Sequence, residues 1–178
     1  NTRFIPELLA PAGELAAAYA AFEYGANAVY LGLRQFSARA EATNFSFEDL
    51  SDVVGFAHAL SPPRRVYVTL NTLLLERELP EAVEAVLALQ EIGIDALIVQ
   101  DIGVIRLVRE HAPGLRLHAS TQMAIHSREG LEALRSMGIC RAVLARELTI
   151  DETRDSAAVP GIETEVFVHG ALCYSYSG

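Results

Sequence analysis

A histidine and a cysteine close together near the end of the sequence are the residues best suited to chemistry. The last fourteen residues read EVFVHGALCYSYSG, in which a strand-like run reaches His169 and Cys173 follows a Gly-Ala turn. Cysteine is scarce, with two in the whole sequence, and a thiolate beside an imidazole can act as a nucleophile. Whether these two side chains can hydrogen-bond stays open, because a strand followed by glycine is not expected to continue as a helix.

Metal binding is the alternative use of Cys173. A single cysteine cannot hold zinc or an iron–sulfur cluster, since about four ligands are usual for either. His58, His111 and His126 fall on or near predicted helices and have no partner at ligand spacing. We therefore expect no complete metal site within these residues, and any companions of Cys173 would lie beyond Gly178.

The elements that must position these groups include seven short runs rich in Val, Ile and Leu. Most of the runs are apolar at consecutive positions, which is typical of strands covered on both faces in a parallel sheet. The predicted strands cover residues 7–13, 28–32, 66–71, 96–101, 116–121, 141–146 and 165–170.

Helices are predicted between the strands, and several have recognisable starts. Ser46 with Asp49 and Thr149 with Glu152 form capping boxes, and Ser127 can cap a further helix. A repeated junction, in which a glycine closes a helix before a strand, occurs at Gly25, Gly93 and Gly138. This repetition is what successive βα units require.

The alternation predicts an α/β protein with one domain over residues 1–178. We expect a (β/α) TIM-like barrel of about seven parallel strands, truncated at its C-terminus with the eighth unit missing, because a complete barrel needs about 250 residues. An open doubly wound sheet is the alternative. No GxGxxG follows the first strand, which argues against a Rossmann dinucleotide site.

Polar residues follow the ends of the predicted strands, where barrel enzymes carry their active sites. The candidate substrate-binding residues are Asn71, Gln100, Ser120, Gln122 and Glu147, and the candidate catalytic residues are His118, Arg146, His169 and Cys173. Polar residues near the strands also have structural alternatives. Asn71 can cap a turn, Asp101 can start a helix, and Glu7 and His118 can be hydrogen-bonded core groups. Taken together they predict a polar-lined mouth, since burying so many unpaired polar groups is costly.

Composition narrows the class of protein. The net charge of −9 argues against non-specific binding to nucleic acid, although it leaves room for a local basic site. No apolar run reaches the roughly 18 residues that span a bilayer, and no basic-then-apolar leader is present. We expect a cytoplasmic protein that does not enter the membrane.

At this point the sequence resembles the N-terminal part of the peptidase U32 family, also called collagenase-like proteases. The similar runs include ELLAPAG, GANAVYLG, VYVTLNTLL, LHASTQM, VLARELT and EVFVHGALCYSYSG. The family signature, E-x-F-x-x-G-[SA]-[hydrophobic]-C-x4-G-x-C, matches Glu165, Phe167, Gly170, Ala171, Leu172, Cys173 and Gly178. One departure is Ala124, where the family often has Asn.

The resemblance implies more than the residues themselves predict. Relatives of this family hydroxylate RNA bases or act on a quinone precursor, and some hold a 4Fe–4S cluster on four cysteines. By this resemblance Cys173 is the first cluster ligand of the full-length protein, and no cluster is expected in this fragment. RNA or another aromatic small molecule is the implied substrate. The alternatives are a peptidase and a non-catalytic barrel that binds a small molecule, and open strand edges favour a homodimer or pairing with a homologous subunit.

Overall fold

Strands and helices alternate throughout the computed structural model, which describes residues 5–33 and 45–170. In this part of the chain the strands are β1 (Leu9–Pro11), β2 (Ala28–Gly32), β3 (Arg65–Leu70), β4 (Ala96–Val99), β5 (Leu117–Ala119), β6 (Arg141–Val143) and β7 (Glu163–Glu165). The helices are α1 (Leu15–Glu23), α2 (Phe47–Ala59), α3 (Leu79–Ile92), α4 (Ile102–His111), α5 (Arg128–Ser136) and α6 (Ile150–Ala157). Short 3₁₀ turns cover Glu76–Glu78 and Thr121–Met123.

The strands form one parallel sheet in the order β1 to β7. A contact between residues near its two ends shows that the sheet curls. Arg141 at the start of β6 places Nη1 2.6 Å from Oε1 of Glu7, which precedes β1. The hydroxyl of Tyr67 on β3 lies 2.8 Å from the same carboxylate oxygen. A sheet with its first, third and sixth strands in contact across one face is a partial cylinder. The predicted α/β barrel of about seven parallel strands is therefore confirmed.

Each strand contributes alternate residues to the two faces of the sheet, as the pleat requires. The outer set packs with the helices: Val66 and Val68 of β3 are buried in one core with Leu89 of α3. The inner set forms a separate buried cluster on the concave face, composed of Ala28, Tyr67, Ala96 and Ile98. Both faces are thus covered, which explains why the strands are apolar at consecutive positions.

The predicted helix starts are confirmed. The capping boxes at Ser46 and Thr149 both form, and the Ser127 hydroxyl accepts a hydrogen bond from the backbone N–H of Gly130. Gly93 ends α3 with φ of 85°, a left-handed conformation that costs glycine little. Gly25 and Gly138 adopt positive φ at the equivalent junctions.

The last predicted strand is wrong in position. The run 165–170 was expected to form it, but β7 ends at Glu165 and the residues after it bend away. Leu144 N donates to Glu165 O, and in the described part of the chain no backbone hydrogen bond further along joins this end of β6 to residues 166–170. Beyond that point the apolar sequence is on the surface, and Val168 is 87% exposed.

Candidate functional site

Strand register brings four predicted residues to one end of the sheet. Thr69, Ile98 and His118 are paired across β3, β4 and β5. Two positions further along each strand, and so on the same concave face, come Asn71, Gln100 and Ser120. Gln122 follows in the 3₁₀ turn after β5. We call Asn71, Gln100, Ser120 and Gln122 the rim network.

The rim network is joined by direct hydrogen bonds. Asn71 Nδ2 donates to Gln122 Oε1 over 2.9 Å, and Ser120 Oγ donates to the same oxygen over 3.1 Å. Gln100 Nε2 donates to the backbone oxygen of Asn71 over 2.7 Å. Three strands therefore hold one set of amide and hydroxyl groups at their C-terminal ends, as the sequence predicted.

The ends of β6 and β7 carry a second group of predicted residues. The Arg146 guanidinium lies over the Phe167 ring, 3.9 Å from its centroid, and Phe167 is 38% exposed. Glu147 pairs with His126, with 3.5 Å between Oε2 and Nε2. Arg146 follows Ala145, whose N–H bonds to Ile125 O just after the turn that carries Gln122.

Asp101 has a structural role. Its Oδ1 accepts hydrogen bonds from the N–H groups of Gly103 and Val104, at 2.7 and 3.1 Å, and so caps α4. Its Oδ2 accepts from the N–H of Leu74 over 3.3 Å. The carboxylate therefore fixes the start of α4 against the loop after β3, as its structural alternative proposed.

The opposite end of the concave face holds an ionic network that sequence reasoning missed. Glu7 accepts hydrogen bonds from Arg65, Tyr67 and Arg141. Arg141, whose side chain is 8% exposed, also donates from Nε and Nη2 to Glu163 Oε2 and lies 3.6 Å from Glu165. We call this set the floor network: Glu7, Arg65, Tyr67, Arg141, Glu163 and Glu165.

Burial and charge set the protonation of the floor network. Burial raises the pKa of Glu7, but hydrogen bonds from Arg141 and Tyr67 outweigh it, and the net pKa is below the ordinary value. Burial and the bond to Glu7 raise the pKa of Tyr67 to about 12. Burial raises the pKa of Glu165 despite the nearby charge of Arg141. Glu7 and Arg141 are therefore a charged pair, while Tyr67 stays a neutral donor.

The sequence did contain a signal for this network. Arg65, Arg141 and Glu163 are each the first residue of a strand, so their side chains meet at the N-terminal end of the sheet. Arg141 heads an otherwise apolar run, and a buried charge in such a place needs a partner of opposite sign. That partner, Glu7, lies 134 residues away along the chain, a distance over which strand patterns predict no pairing.

His118 lies deeper than the sequence predicted. It was expected at the mouth as a catalytic residue, but it sits in the middle of β5 and is 1% exposed. Its ring packs against Tyr67 in a T-shaped contact with 4.8 Å between centroids. The strand continues only one residue beyond it, so the rim begins at Ser120.

The two remaining catalytic candidates come after β7 in the chain. His169 is exposed in the bend after β7, and Cys173 lies outside the described residues. In residues 5–33 and 45–170 no group of three or more His, Cys, Asp or Glu side chains could hold a metal ion. Cys140 is partly buried at the start of β6, where its thiol donates to Leu117 O. No helix within the described part of the chain is long and apolar enough to cross a membrane.

Comparison with known proteins identifies relatives of the whole chain. Residues 13–178 match the model of peptidase family U32. The chain is 43% identical to the 23S rRNA 5-hydroxycytidine C2501 synthase of Escherichia coli K12, covering 97% of this chain and 25% of that protein. It is 40% identical to the tRNA hydroxylation protein P of the same organism, over 98% of this chain and 38% of that protein. A collagenase of Porphyromonas gingivalis is 31% identical over 97% of this chain and 43% of its own length.

A solved structure of a U32 peptidase has the same fold, with a TM-score of 0.68 and 12% identity over 93% of this chain and 69% of that one. The chain spans less than half the length of the curated relatives named above. The family match nevertheless covers nearly all of the sequence, and the expected resemblance is confirmed. The chain belongs to peptidase family U32.

Proposed function

We propose that this chain is the base-binding barrel of an enzyme that hydroxylates RNA, with the rim network holding the base. The observation that carries the proposal is the joining of Asn71, Gln100, Ser120 and Gln122 at the C-terminal ends of three neighbouring strands. Barrel enzymes carry their active sites at this end. The names of two relatives, an rRNA 5-hydroxycytidine synthase and a tRNA hydroxylation protein, supply the reaction class.

The chemistry of the rim suits a nucleobase. A side-chain amide presents a donor and an acceptor in one plane, as the edge of a base does. Gln122 uses Oε1 twice within the network, and its Nε2 has no hydrogen-bond partner among the described residues. The Arg146–Phe167 pair adds a guanidinium plane and an aromatic ring, the two surfaces on which proteins stack unpaired RNA bases. Modification of a base requires that it leave its stack.

Attraction for the RNA backbone must come from other regions of the whole protein. The chain carries a net charge of −9, and affinity for phosphates depends on Lys and Arg. We therefore propose that this barrel recognises the base, whereas the rest of the protein binds the strand in the cytoplasm, where ribosomal and transfer RNA are found.

A 4Fe–4S cluster stays part of the proposal for the whole protein only, with Cys173 as its first ligand. The described residues do not fit such a group, since they include no set of three possible ligands. We therefore derive no step through a cluster. The roles proposed for the rim network are binding and orientation of the base.

Nucleoside analysis tests the proposal. A strain lacking the whole protein is complemented with wild type, Gln122→Ala or Asn71→Ala, and its RNA is digested for mass spectrometry. We expect wild type to restore a nucleoside that is heavier by one oxygen atom, and both variants to reduce it at least tenfold. Arg154→Ala is the matched control, because Arg154 pairs with Asp151 on exposed α6. Full restoration by the rim variants, or no oxidised nucleoside with wild type, contradicts the proposal.

Peptidase activity is the alternative named by the family and by the collagenase relative. The rim serine is poorly placed for it, because Ser120 Oγ donates to an amide oxygen of Gln122 that cannot act as a general base. Hydrolysis of gelatin by the metal-free whole protein, abolished by His169→Ala or Cys173→Ala, would favour the peptidase over the hydroxylase.

We also propose that the sheet edges are covered in the whole protein. β1 and β7 are the end strands of the described sheet, and an open edge attracts another strand. The occupant is either a further segment of the same chain or a second subunit. Light scattering on the whole protein distinguishes a monomer, which requires the first arrangement, from a dimer.

A further inference from the structure

His118 is a buried polar side chain that the described structure does not satisfy. Leu117 and Ala119 belong to the helix-facing core, so His118 between them points to the concave face. The residue is 1% exposed. Neither Nδ1 nor Nε2 has a hydrogen-bond partner among the described residues. The ring is held in place by its T-shaped contact with Tyr67, at an interplanar angle of 71°.

The imidazole is neutral at physiological pH. Burial, together with the positive charges of Arg141, Arg116 and Arg65, lowers the pKa of His118 to about 3. A neutral imidazole has one N–H donor and one acceptor nitrogen. His118 therefore offers both kinds of hydrogen bond on one rigid ring, and it does so without adding charge to the concave face.

Leaving both nitrogens unpaired in the interior destabilises the folded protein. The neighbouring inner-face residues Ala96 and Ile98 show that apolar side chains are accommodated on this face. A leucine at position 118 would avoid the desolvation cost. The presence of histidine instead indicates that a polar partner arrives from outside the described structure.

The position of His118 indicates where that partner enters. Ser120 lies two residues further along the same face of β5 and belongs to the rim network. His118 is therefore one step below the rim, between it and the floor network. Because the residue is sealed from solvent, a ligand reaches it only when the side chains that cover it move aside.

We propose that His118 is a binding residue that contacts the polar edge of the base held at the rim. The inference rests on the proposed function. The ligand class is a neutral planar heterocycle with a donor and an acceptor on one edge, as a pyrimidine base presents. The rim network and His118 then contact the same base from two levels, and the movement that admits the base gives His118 its missing partner.

Binding and stability measurements on the whole protein test this role together. The probe is a short single-stranded oligoribonucleotide rich in cytidine and uridine, and ribose 5-phosphate serves as the control ligand without a base. For His118→Leu we expect binding of the oligonucleotide at least about tenfold weaker, from the loss of a buried hydrogen bond, with the Tm unchanged or raised. His118→Asn, which keeps a donor and an acceptor, should recover part of the affinity.

Unchanged affinity in His118→Leu overturns the inference. A fall of several degrees in its Tm also overturns it, since a stabilising partner such as a buried water would then be present already. If His118→Leu does not fold, the affinities of His118→Asn and His118→Gln for the oligonucleotide decide. Wild-type affinity in both of these variants contradicts the role. Gln122→Ala distinguishes failure of this inference from failure of the proposed function. If Gln122→Ala loses binding and the His118 variants do not, the role of the rim network stands and only this inference fails.

Discussion

The two ends of the concave face are both polar, yet they are built differently. The floor network is ionic: Arg141 is almost fully buried and bonds to Glu7 and Glu163 with Nη–Oε distances of 2.6 Å. The rim network is made of neutral amides and a hydroxyl. Removing one partner of a buried ion pair strongly destabilises the folded protein, because the other charge is left buried and unpaired. A neutral hydrogen bond contributes only modestly to the free energy of unfolding. The floor is therefore suited to holding the curled sheet and the rim to binding.

The floor network also joins parts of the chain that the sheet leaves apart. β1 and β7 are the ends of the described sheet, but Arg141 contacts both Glu7 before β1 and Glu163 in β7. One guanidinium thus bridges the two ends of the curl. The rim has no charge in an equivalent place within its four residues, and its bonds join only neighbouring strands.

The largest expected effect is at the floor. Arg141→Met leaves the carboxylates of Glu7 and Glu165 without their main partner and should lower the free energy of unfolding by about 3 kcal/mol. Urea unfolding of the whole protein, with hydrogen exchange of peptides from β3 and β6, measures this. Arg154→Met removes an exposed ion pair on α6 and should cost less than about 1 kcal/mol. Equal costs for the two variants would remove the special role of the floor.

The free energy of unfolding should depend on pH through His118, in a way that distinguishes this residue from the rim and floor networks. Its folded pKa of about 3 lies below the ordinary 6.5, so the unfolded chain takes up a proton as the pH falls below 6.5 and the folded chain does not. The folded protein therefore loses stability as the pH falls from 6.5 toward 3, because protonation of His118 favours the unfolded chain. Between pH 7 and 5 the loss is about 2 kcal/mol.

The measurement compares urea unfolding of wild type and His118→Leu over that pH range. His118→Leu should lose this part of the slope, whereas Arg154→Met, which changes an exposed residue of α6 and leaves His118 in place, should retain it. Parallel slopes for wild type and His118→Leu would show that His118 is not held neutral in the fold.

The architecture could be predicted because it depends on local patterns. Capping boxes at Ser46 and Thr149 and the glycine at position 93 set helix boundaries through contacts within a few residues. The rim candidates followed from the strand ends, since side chains that end neighbouring parallel strands meet at one edge. Asn71 and Gln122 are 51 residues apart and still bond, because each is fixed by its own strand.

The floor and the depth of His118 could not be predicted in the same way. Contact between Arg141 and Glu7 depends on how far the sheet curls, which the pattern of one strand does not encode. His118 was expected at the mouth because it is close to Ser120 and Gln122 in the sequence, but it lies within β5, one level below them. The run after Glu165 has strand-like residues, yet β7 ends at Glu165 and Val168 is exposed.

Tyr67→Phe tests a single contact of the floor. The change removes the hydroxyl that donates to Glu7 over 2.8 Å and keeps the ring beneath His118. We expect the free energy of unfolding to fall by about 1.5 kcal/mol, the lower end of the cost of losing a hydrogen bond to a charged group. Tyr24→Phe, on an exposed tyrosine at the end of α1, should be neutral within error in the same urea titration. A neutral Tyr67→Phe would mean that Arg65 and Arg141 alone satisfy Glu7.

The smallest expected effects are coupling energies between pairs of residues, one pair within the rim network and one pair that joins the rim to the floor. Asn71 and Gln122 share a direct hydrogen bond, so a double-mutant cycle with both changed to alanine should give a coupling energy of at least about 0.5 kcal/mol. Tyr67 and Gln122 share no hydrogen-bond partner within the rim or floor networks, so the effects of Tyr67→Phe and Gln122→Ala should add within about 0.5 kcal/mol. Unfolding in urea measures both cycles in the whole protein. Strong coupling between Tyr67 and Gln122 would mean that His118, which lies between them, transmits changes from one network to the other, so that binding at the rim would alter the stability of the floor.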